Sequence, residues 1–537
     1  MAIRFHNTLK RATEAFEPLR AGEVGIYACG PTVYQLPHIG NYRTFLFSDL
    51  LHRWLAWKGF RVRMIMNLTD VDDRIIDLAA ERGVPIGEYT APHADAFFEE
   101  LETLGARPAH AYPRATDHID AMVSLVERLV ERGHAYQADG SVYYDIGSFE
   151  GYGKLSRIPL DDVRTGERVS SDRYEKQDAR DFALWKAARD VDRQVGAAWP
   201  SPWGEGRPGW HLECSAMSMA ELGPTLDIHT GGEDLVFPHH EDEIAQSEGA
   251  TGQPFVRTWL HARHLLLDAE KMSKSLGNVV GLRDVMDEGF EPAAIRYLLL
   301  SAHYRSELSF SYAALRDASA ALRRVRDFRN RLREAAGEGE ARIAGPRRPA
   351  GAVEAHEVPD TAGGVPGDDG AGSGGSSSRG ESGGLERLAD RFLVAFEDAL
   401  EDDLNTPAAL GALFLLVRRA NTALDAAVGE GGGAGGVSAE TSGARSALAA
   451  LAAFDDVFGV IELADRTAGV DSGLAAWADE RVAARQKARE ERDWAAADAI
   501  RDELADAGIV VEDTPQGPRW KTTGAAPAAQ EGQTTLT

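Results

Sequence analysis

The stretch from Tyr27 to Asp49, YACGPTVYQLPHIGNYRTFLFSD, decides how the rest of the chain is read. The apolar run Val24-Gly25-Ile26-Tyr27-Ala28 has the length of a buried strand. Cys29-Gly30-Pro31 breaks it, Pro37-His38-Ile39-Gly40-Asn41 makes a turn, and an amphipathic helix is expected from Tyr42 to Lys58. Strand, glycine turn and helix together form the front half of a nucleotide-binding βα unit. The helix N-terminus offers free N–H groups and a positive dipole end to a phosphate. Gly40 has no Cβ to obstruct a ligand, and His38 and Asn41 carry donors for phosphate oxygens or ribose hydroxyls. Read alone, the turn is more readily a plain helix cap.

A second stretch far downstream changes that balance: Lys271-Met272-Ser273-Lys274-Ser275-Leu276-Gly277-Asn278. Two lysines in a small, flexible setting suit a loop that clamps a polyphosphate. HIGN followed by KMSKS resembles the paired signatures of class I aminoacyl-tRNA synthetases. The fourth residue of the first signature in that family is His; here it is Asn41, which keeps a donor but cannot titrate. That argues against proton transfer at this position.

The 537 residues are enough for three to four domains, and 43% of them are hydrophobic. The opening residues, MAIRFHNTLKRATEAF, have no apolar signal core, and no run is long enough to cross a membrane. A cytoplasmic enzyme with no membrane partner, monomeric in the simplest case, is expected. A formal net charge of −27 argues against indiscriminate nucleic-acid binding but allows a local basic patch. Arg323, Arg324, Arg326, Arg329, Arg331 and Arg333 on a predicted helix are either such a patch or a solvated face.

Along the chain, the fold class is α/β: a Rossmann-like parallel-sheet domain over residues 1–285 with an inserted segment over about 120–205. A strand at Val62–Leu68 leads to Asp72 and Asp73, which are expected to cap a helix over Arg74–Arg82. Helices are expected over 88–104 and 117–132, and a short strand at Ser141–Ile146. Residues 160–200 show no strong period, and Trp185, Trp199 and Trp203 are expected to anchor them by packing. Leu226–His229 reads as a strand, Thr230-Gly231-Gly232-Glu233-Asp234 as a glycine turn, and a helix starts at Pro238. Asp234 or Glu233 there suits ribose hydroxyls, or a helix cap. Residues 286–334 and a bundle over 386–470 are helical, and 471–523 form a small last unit before a frayed tail at 524–537. Gly, Ser, Pro and acids dominate 335–385, and a second flexible patch is expected at 429–443.

Cys29 follows the first strand, Cys214 lies in GWHLECSAM, and His239 and Glu243 are four apart on one predicted helix face. Two sulfurs, an imidazole and a carboxylate make a tetrahedral Zn²⁺ set if they converge; otherwise the cysteines are two buried, inert thiols. YACGPTVYQLPHIGN, NLTDVDD, GWHLECSAM, DIHTGGEDLVFPHHEDEIAQ, KMSKSLGN and DDLNTPAAL together resemble the cysteinyl-tRNA synthetase family. The resemblance covers most of the chain outside 335–385, 429–443 and the tail.

It implies one Zn²⁺ held by Cys29, Cys214, His239 and Glu243, with the first His of the pair chosen over His240. It implies Thr69 and Trp210 as walls of the amino-acid pocket, each of which core packing would also explain. His38, Lys271 and Lys274 become the groups that stabilise phosphoryl charge. Gly40, Asn41, Gly232 and Asp234, with Lys274, become the ATP contacts. The substrates implied are L-cysteine, Mg·ATP and tRNA(Cys), with 286–334 contacting the tRNA stem and 471–523 the anticodon. Two rivals remain: an adenylate-forming ligase that passes cysteine to an amino-sugar inositol, and a non-catalytic zinc-containing RNA-binding paralogue.

The composition of 335–385 generates a test. Both nucleotide signatures and the four cluster residues lie upstream, so deleting 345–383 is expected to leave cysteine-dependent pyrophosphate exchange unchanged. The Michaelis constant for tRNA in parent and deletion enzymes, at two salt concentrations, reports whether Arg342, Arg347, Arg348 and Arg379 contact phosphates.

Overall fold

The computed structural model describes residues 2–158, 181–267, 270–271, 280–337, 384–429, 434–468, 472–490, 493–507, 509–514 and 517–522. The opening βα unit is β1 (Glu23–Ala28), α1 (Ile39–Trp57) and β2 (Arg61–Met66). α1 is buried on nearly every side, from Ile39 and Tyr42 to Trp54 and Leu55. The chain returns later as α2 (Trp210–Leu222), β3 (Leu226–Gly232), α3 (Glu241–Thr251) and β4 (Val256–Ala262).

The four strands form one parallel sheet in the order β4-β3-β1-β2. β3 is buried along nearly its whole length, as a parallel strand covered on both faces must be. Its polar residues therefore need partners. Asp227 accepts the N–H of Gly25 at 2.8 Å, and Thr230 Oγ1 bonds Ser48 Oγ at 2.8 Å. The strand runs three residues past the expected end, because Thr230, Gly231 and Gly232 pair with Leu260, His261 and Ala262 of β4. Strand order reverses between β1 and β3, so a crevice opens at their carboxyl ends.

Helices Asp73–Arg82, Ile86–Thr103 and Ile119–Glu131 separate β2 from an antiparallel sheet. Its strands are Ala135–Ala138, Ser141–Tyr144, Phe182–Ala187 and Gly206–Pro208, paired in chain order. Phe182–Ala187 falls inside the stretch that shows no period; it is buried from Phe182 to Trp185, so alternation is missing for a structural reason. Trp185 and Trp203 lie 6.3 Å apart and share a core with Trp199. Asp72 caps its helix, accepting the Ile75 N–H at 2.6 Å. Asp73 does not cap: it faces the antiparallel sheet, 2.9 Å from Lys186 Nζ and bonded to Arg207.

Two compact units are distinguished: residues 1–326, 394–413 and 452–537, and residues 327–393 and 414–451. In the first, helices Leu282–Asp287 and Pro292–Ser301 are followed by a strand, Leu308–Phe310, which interrupts the all-helical expectation for 286–334 by pairing with Leu265–Leu267. Asp403, within DDLNTPAAL, accepts the His6 N–H (2.8 Å), the Tyr304 hydroxyl (2.6 Å) and Arg305 Nε (2.6 Å). The end of this unit is a helical pair, Ser472–Glu490 and Trp494–Asp506, and a hairpin, Ile509–Thr514 with Gly517–Thr522.

The second unit is built from parts of Tyr312–Ala335, Gly384–Glu401, Thr406–Gly429 and Ala434–Phe458. The last helix corrects the expectation of a flexible patch at 429–443 over residues 434–443, while residues 430–433 lie outside the described residues. Thr441 Oγ1 donates to the Ala335 carbonyl at 3.3 Å. A Cβ on Gly443 would lie 2.8 Å from Leu385 Cβ, so glycine here lets two helices approach rather than loosening the chain. Of the expected linker 335–385, residues 338–383 lie outside the described residues, while Ala335 and Leu385 are helical.

A buried ion network ties α1 to later elements of the first unit. Asp49 accepts from Arg53 Nε (2.8 Å), the Arg107 N–H (2.8 Å) and Arg296 Nη2 (2.5 Å). Fully buried Arg296 also donates to the carbonyls of Leu104 (3.2 Å) and Phe458 (2.6 Å). Burial pushes the Asp49 carboxyl up, but Arg296 and Arg53 outweigh it and hold the pKa below the usual aspartate value. A depressed carboxylate contributes stability above its unfolded pKa, about 3.9, and loses it as pH falls through the folded value. Asp49→Asn leaves the Arg296 guanidinium buried without its charge partner. The urea transition that includes α1 is expected to lose about 3–5 kcal/mol at neutral pH. A loss under about 1 kcal/mol, the range of exposed pairs, would contradict this.

Candidate active site and metal centre

Cys29 is the first residue after β1, and its N–H donates to the Thr230 carbonyl of β3 at 3.1 Å. The next N–H, of Gly30, donates to Asn67 Oδ1 at 2.9 Å. A Cβ at position 30 would sit 1.7 Å from the Asn67 carbonyl oxygen, so only glycine lets the chain pass here. Thr69 is drawn to the same place: its N–H donates to the Pro31 carbonyl (3.1 Å) and its carbonyl accepts from Val33 (3.0 Å). α2 brings Cys214, a kinked turn over Val236–His240, non-helical at Phe237, brings His239, and the first turn of α3 brings Glu243.

The ligand atoms of Cys29, Cys214, His239 and Glu243 lie within 4.8 Å of one another, and all four residues are buried. His239 Nε2 is 3.0 Å from Glu243 Oε1. A second group, Cys29, His229, His240 and Glu243, meets the same limit. His229 Nε2 is 3.0 Å from Glu243 Oε2, and His240 Nε2 is 3.3 Å from Cys29 Sγ. His240 Nδ1 bonds His261 Nε2 at 2.7 Å, and His261 Nδ1 bonds Thr8 Oγ1 at 2.7 Å. Sequence reasoning assigned no role to His211, His229, His261 or Asp242 in this cluster. The signal available was a histidine inside an otherwise apolar strand, in LDIHTGG and VRTWLHA, where burial demands a partner.

The electrostatics divide the cluster. The bond from Cys29 is the largest influence on Cys214 and, with His239, brings its thiol down to about 6. Burial pushes Cys29 well above the ordinary thiol value. Burial disfavours the His239 cation, yet Glu243 and Cys214 raise it to about 10. Burial opposes ionisation of Glu243, and His229 and His239 nevertheless hold it at about 2. His240 and His261 are pushed down by burial and stay neutral, His261 at about 3. A thiolate, a carboxylate and imidazole nitrogens in one dry cavity are donors suited to a soft divalent metal.

Trp210 is 40% exposed and stacks on His239, ring centroids 4.5 Å apart. At the start of α1, His38 is the N-cap, and Asn41 Oδ1 accepts the His38 N–H at 3.0 Å. Gly40 lies in this first turn. The Ile39 N–H donates to the Val280 carbonyl at 2.9 Å, and His38 bridges to Gly281, so the segment after KMSKS reaches the first signature. Lys271 pairs through its backbone with Leu266; Lys274 lies outside the described residues. Gly232 closes β3 and Asp234 is exposed just beyond it. The six arginines of Tyr312–Ala335 do not form one face: Arg329 is buried, and Arg331 is bonded to Asn421 and Asp425.

Comparison with known proteins identifies the family. The family described as tRNA synthetases class I (C) catalytic domain matches residues 15–320, the DALR domain matches 395–462, and the cysteinyl-tRNA ligase anticodon binding domain matches 471–520. A cysteine–tRNA ligase of Solibacter usitatus is 43% identical over 97% of this chain and 100% of its own length. One of Protochlamydia amoebophila is 40% identical over 97% and 98%. Among solved structures, Mycobacterium tuberculosis methionyl-tRNA synthetase in complex with methionyl-adenylate shares the fold, with a TM-score of 0.57 at 17% identity over 82% of this chain and 93% of that one. No helix among the described residues is long and apolar enough to cross a membrane. With relatives this similar along nearly the whole chain, and catalytic, DALR and anticodon modules in order, the chain belongs to the cysteinyl-tRNA synthetase family of class I ligases.

Proposed function

We propose that Cys29, Cys214, His239 and Glu243 hold one Zn²⁺ and that the pocket beside them takes L-cysteine as its thiolate. The cysteine is activated with Mg·ATP and transferred to the terminal adenosine of tRNA(Cys) in the reducing cytoplasm. Membership of the family makes the chain a cysteine–tRNA ligase; the residue roles are our reading. The observation that carries it is the convergence within 4.8 Å of two thiols, an imidazole and a carboxylate, all buried, where the sheet reverses its order. Two sulfurs with one nitrogen and one oxygen fit Zn²⁺. Bound there, Zn²⁺ supplies a soft Lewis-acid position that favours a thiolate over an alcohol. Without that preference, a pocket separates near-isosteric analogues such as cysteine and serine only by about 10²-fold.

The chain's own groups bind and orient. Trp210, lying over His239, covers the amino acid, and Thr69 walls it from the side of β2. His38 and the N-terminal N–H groups of α1 receive the phosphates. The Asn41 carbonyl is engaged by the helix cap, which leaves its amide N–H₂ to face the nucleotide. Gly232 and Asp234, at the carboxyl end of β3, face the ribose. A carboxylate oxygen of cysteine attacks the α-phosphorus, the bond to pyrophosphate breaks, and Lys271 and Lys274 stabilise the departing charge. The terminal ribose hydroxyl of tRNA then attacks the adenylate carbonyl, and AMP leaves. The module matched over 471–520 supports tRNA over an amino-sugar acceptor.

Elemental analysis of the purified chain is expected to give one zinc per molecule, and Cys214→Ala is expected to lose it. The same variant should bind cysteine far more weakly while its ATP affinity stays near that of the parent; zinc unchanged in Cys214→Ala contradicts the assignment. For Lys274→Ala, single-turnover adenylate formation is expected to slow by about 10²–10³ with no change in melting temperature. A rate within about threefold of the parent would remove Lys274 from the phosphate site.

A further inference from the structure

A line of polar contacts leaves the four-residue cluster through groups that the reaction itself does not use. His239 directs Nε2 at Glu243, 3.0 Å away, and Nδ1 at His211 Nδ1, 2.8 Å away. His211 Nε2 lies 3.5 Å from Asp242 Oδ2, and the Tyr152 hydroxyl donates to Asp242 Oδ1. Asp242 is fully buried and Tyr152 nearly so. The members come from separate places: the start of α2, the kinked turn before α3, the first turn of α3, and the segment after the antiparallel strand Ser141–Tyr144.

Two ring nitrogens 2.8 Å apart attract only if one carries a proton and the other does not. A ligand nitrogen must be bare, so His239 with Nε2 turned into the cluster carries its proton on Nδ1. His211 Nδ1 must then be the acceptor, which puts the His211 proton on Nε2, facing Asp242. Asp242, as a carboxylate, only accepts, and it accepts from the Tyr152 hydroxyl as well. The order Tyr152, Asp242, His211, His239 is thus consistent in sign: Tyr152–Asp242 and His211–His239 are hydrogen bonds, and between them the His211 Nε2–H meets the Asp242 carboxylate in an electrostatic contact at 3.5 Å.

We propose that His211, by its hydrogen bond, and Asp242, by its charge beside His211, are positioning residues that fix His239 as an Nε2 ligand, their polarity running outward from the cluster. The inference rests on the reading of that cluster as a zinc site. Outer partners of this kind set ring orientation and raise ligand basicity, and their loss costs about 10–100-fold in metal affinity.

The test measures zinc affinity of the full-length chain by competition with a chelator, and the d–d absorption of the cobalt-substituted form. His211→Leu removes the acceptor and is expected to weaken zinc binding by about 10–100-fold. His211→Asn places an amide oxygen near the site of Nδ1 and is expected to recover affinity to within about threefold of the parent, with the parental cobalt spectrum. Asp242→Asn can offer an N–H to His211 Nε2, which reverses the line and is expected to weaken binding as His211→Leu does. Equal losses in His211→Leu and His211→Asn would assign His211 to packing and overturn the proposal. So would parental affinity in His211→Leu and Asp242→Asn while Cys214→Ala has lost the metal. Zinc retained by Cys214→Ala would instead overturn the zinc reading, and the proposal with it.

Discussion

Three consecutive carboxylates without access to water open α3, and the surrounding structure is arranged to meet their charge. Glu241, Asp242 and Glu243 are each fully buried. Leaving one such charge unmatched costs several kcal/mol, so the helix can sit only where three separate donor sets converge. Glu241 takes the backbone N–H groups of Gly153 (2.9 Å), Leu155 (3.1 Å) and Ser156 (2.7 Å), which straps the segment after the antiparallel strand Ser141–Tyr144 onto the parallel-sheet domain. Asp242 holds Tyr152 and His211. Glu243 holds His229 of β3 and His239 of the kinked turn before α3. One helical turn thereby sets the relation of the inserted sheet, α2 and β3.

The histidines around this turn behave in two ways, and packing explains the difference. His239 faces Glu243 and Cys214, whose charges hold its proton. His240 and His261 face other imidazoles and the Trp259 indole, with centroids 4.9 Å and 6.0 Å from that ring. His229 lies flatter on Trp259, at 4.6 Å and 18°, while its Nε2 reaches Glu243. Trp259 thus gives these rings an apolar floor. Dispersion against the indole and hydrogen bonds between rings stabilise the neutral rings without any ion.

Much of this was legible in the sequence where a local rule decides the outcome. β1, α1 and β3 could be read because apolar runs bounded by Gly and Pro have few alternatives. The pairing of Asp73 with Lys186 and Arg207 could not, since it depends on a sheet more than a hundred residues away. The strand Phe182–Ala187 escaped notice because burial on both faces erases alternation. The helix over Ala434–Phe458 escaped because its glycines look like a linker until Gly443 is seen against Leu385. Within the site, Cys29, Cys214, His239 and Glu243 could be named from motif resemblance. The surrounding histidines needed three-dimensional adjacency, since nothing in local spacing links His211 to Asp242 or His261 to Thr8.

The distance along the chain between members of the cluster has a consequence in time. Cys29 and Glu243 are 214 residues apart. At a synthesis rate of about 5–20 residues per second, Cys29 leaves the ribosome about 10–40 s before Glu243 is made. β1 can pair with β2 during that interval, but β3, its other neighbour, does not yet exist. For those seconds the first thiol stands at the open end of a half-formed sheet, accessible to oxidants and to any thiophilic ion. The nascent chain therefore passes through a stage chemically more vulnerable than the folded enzyme, in which both thiols are buried.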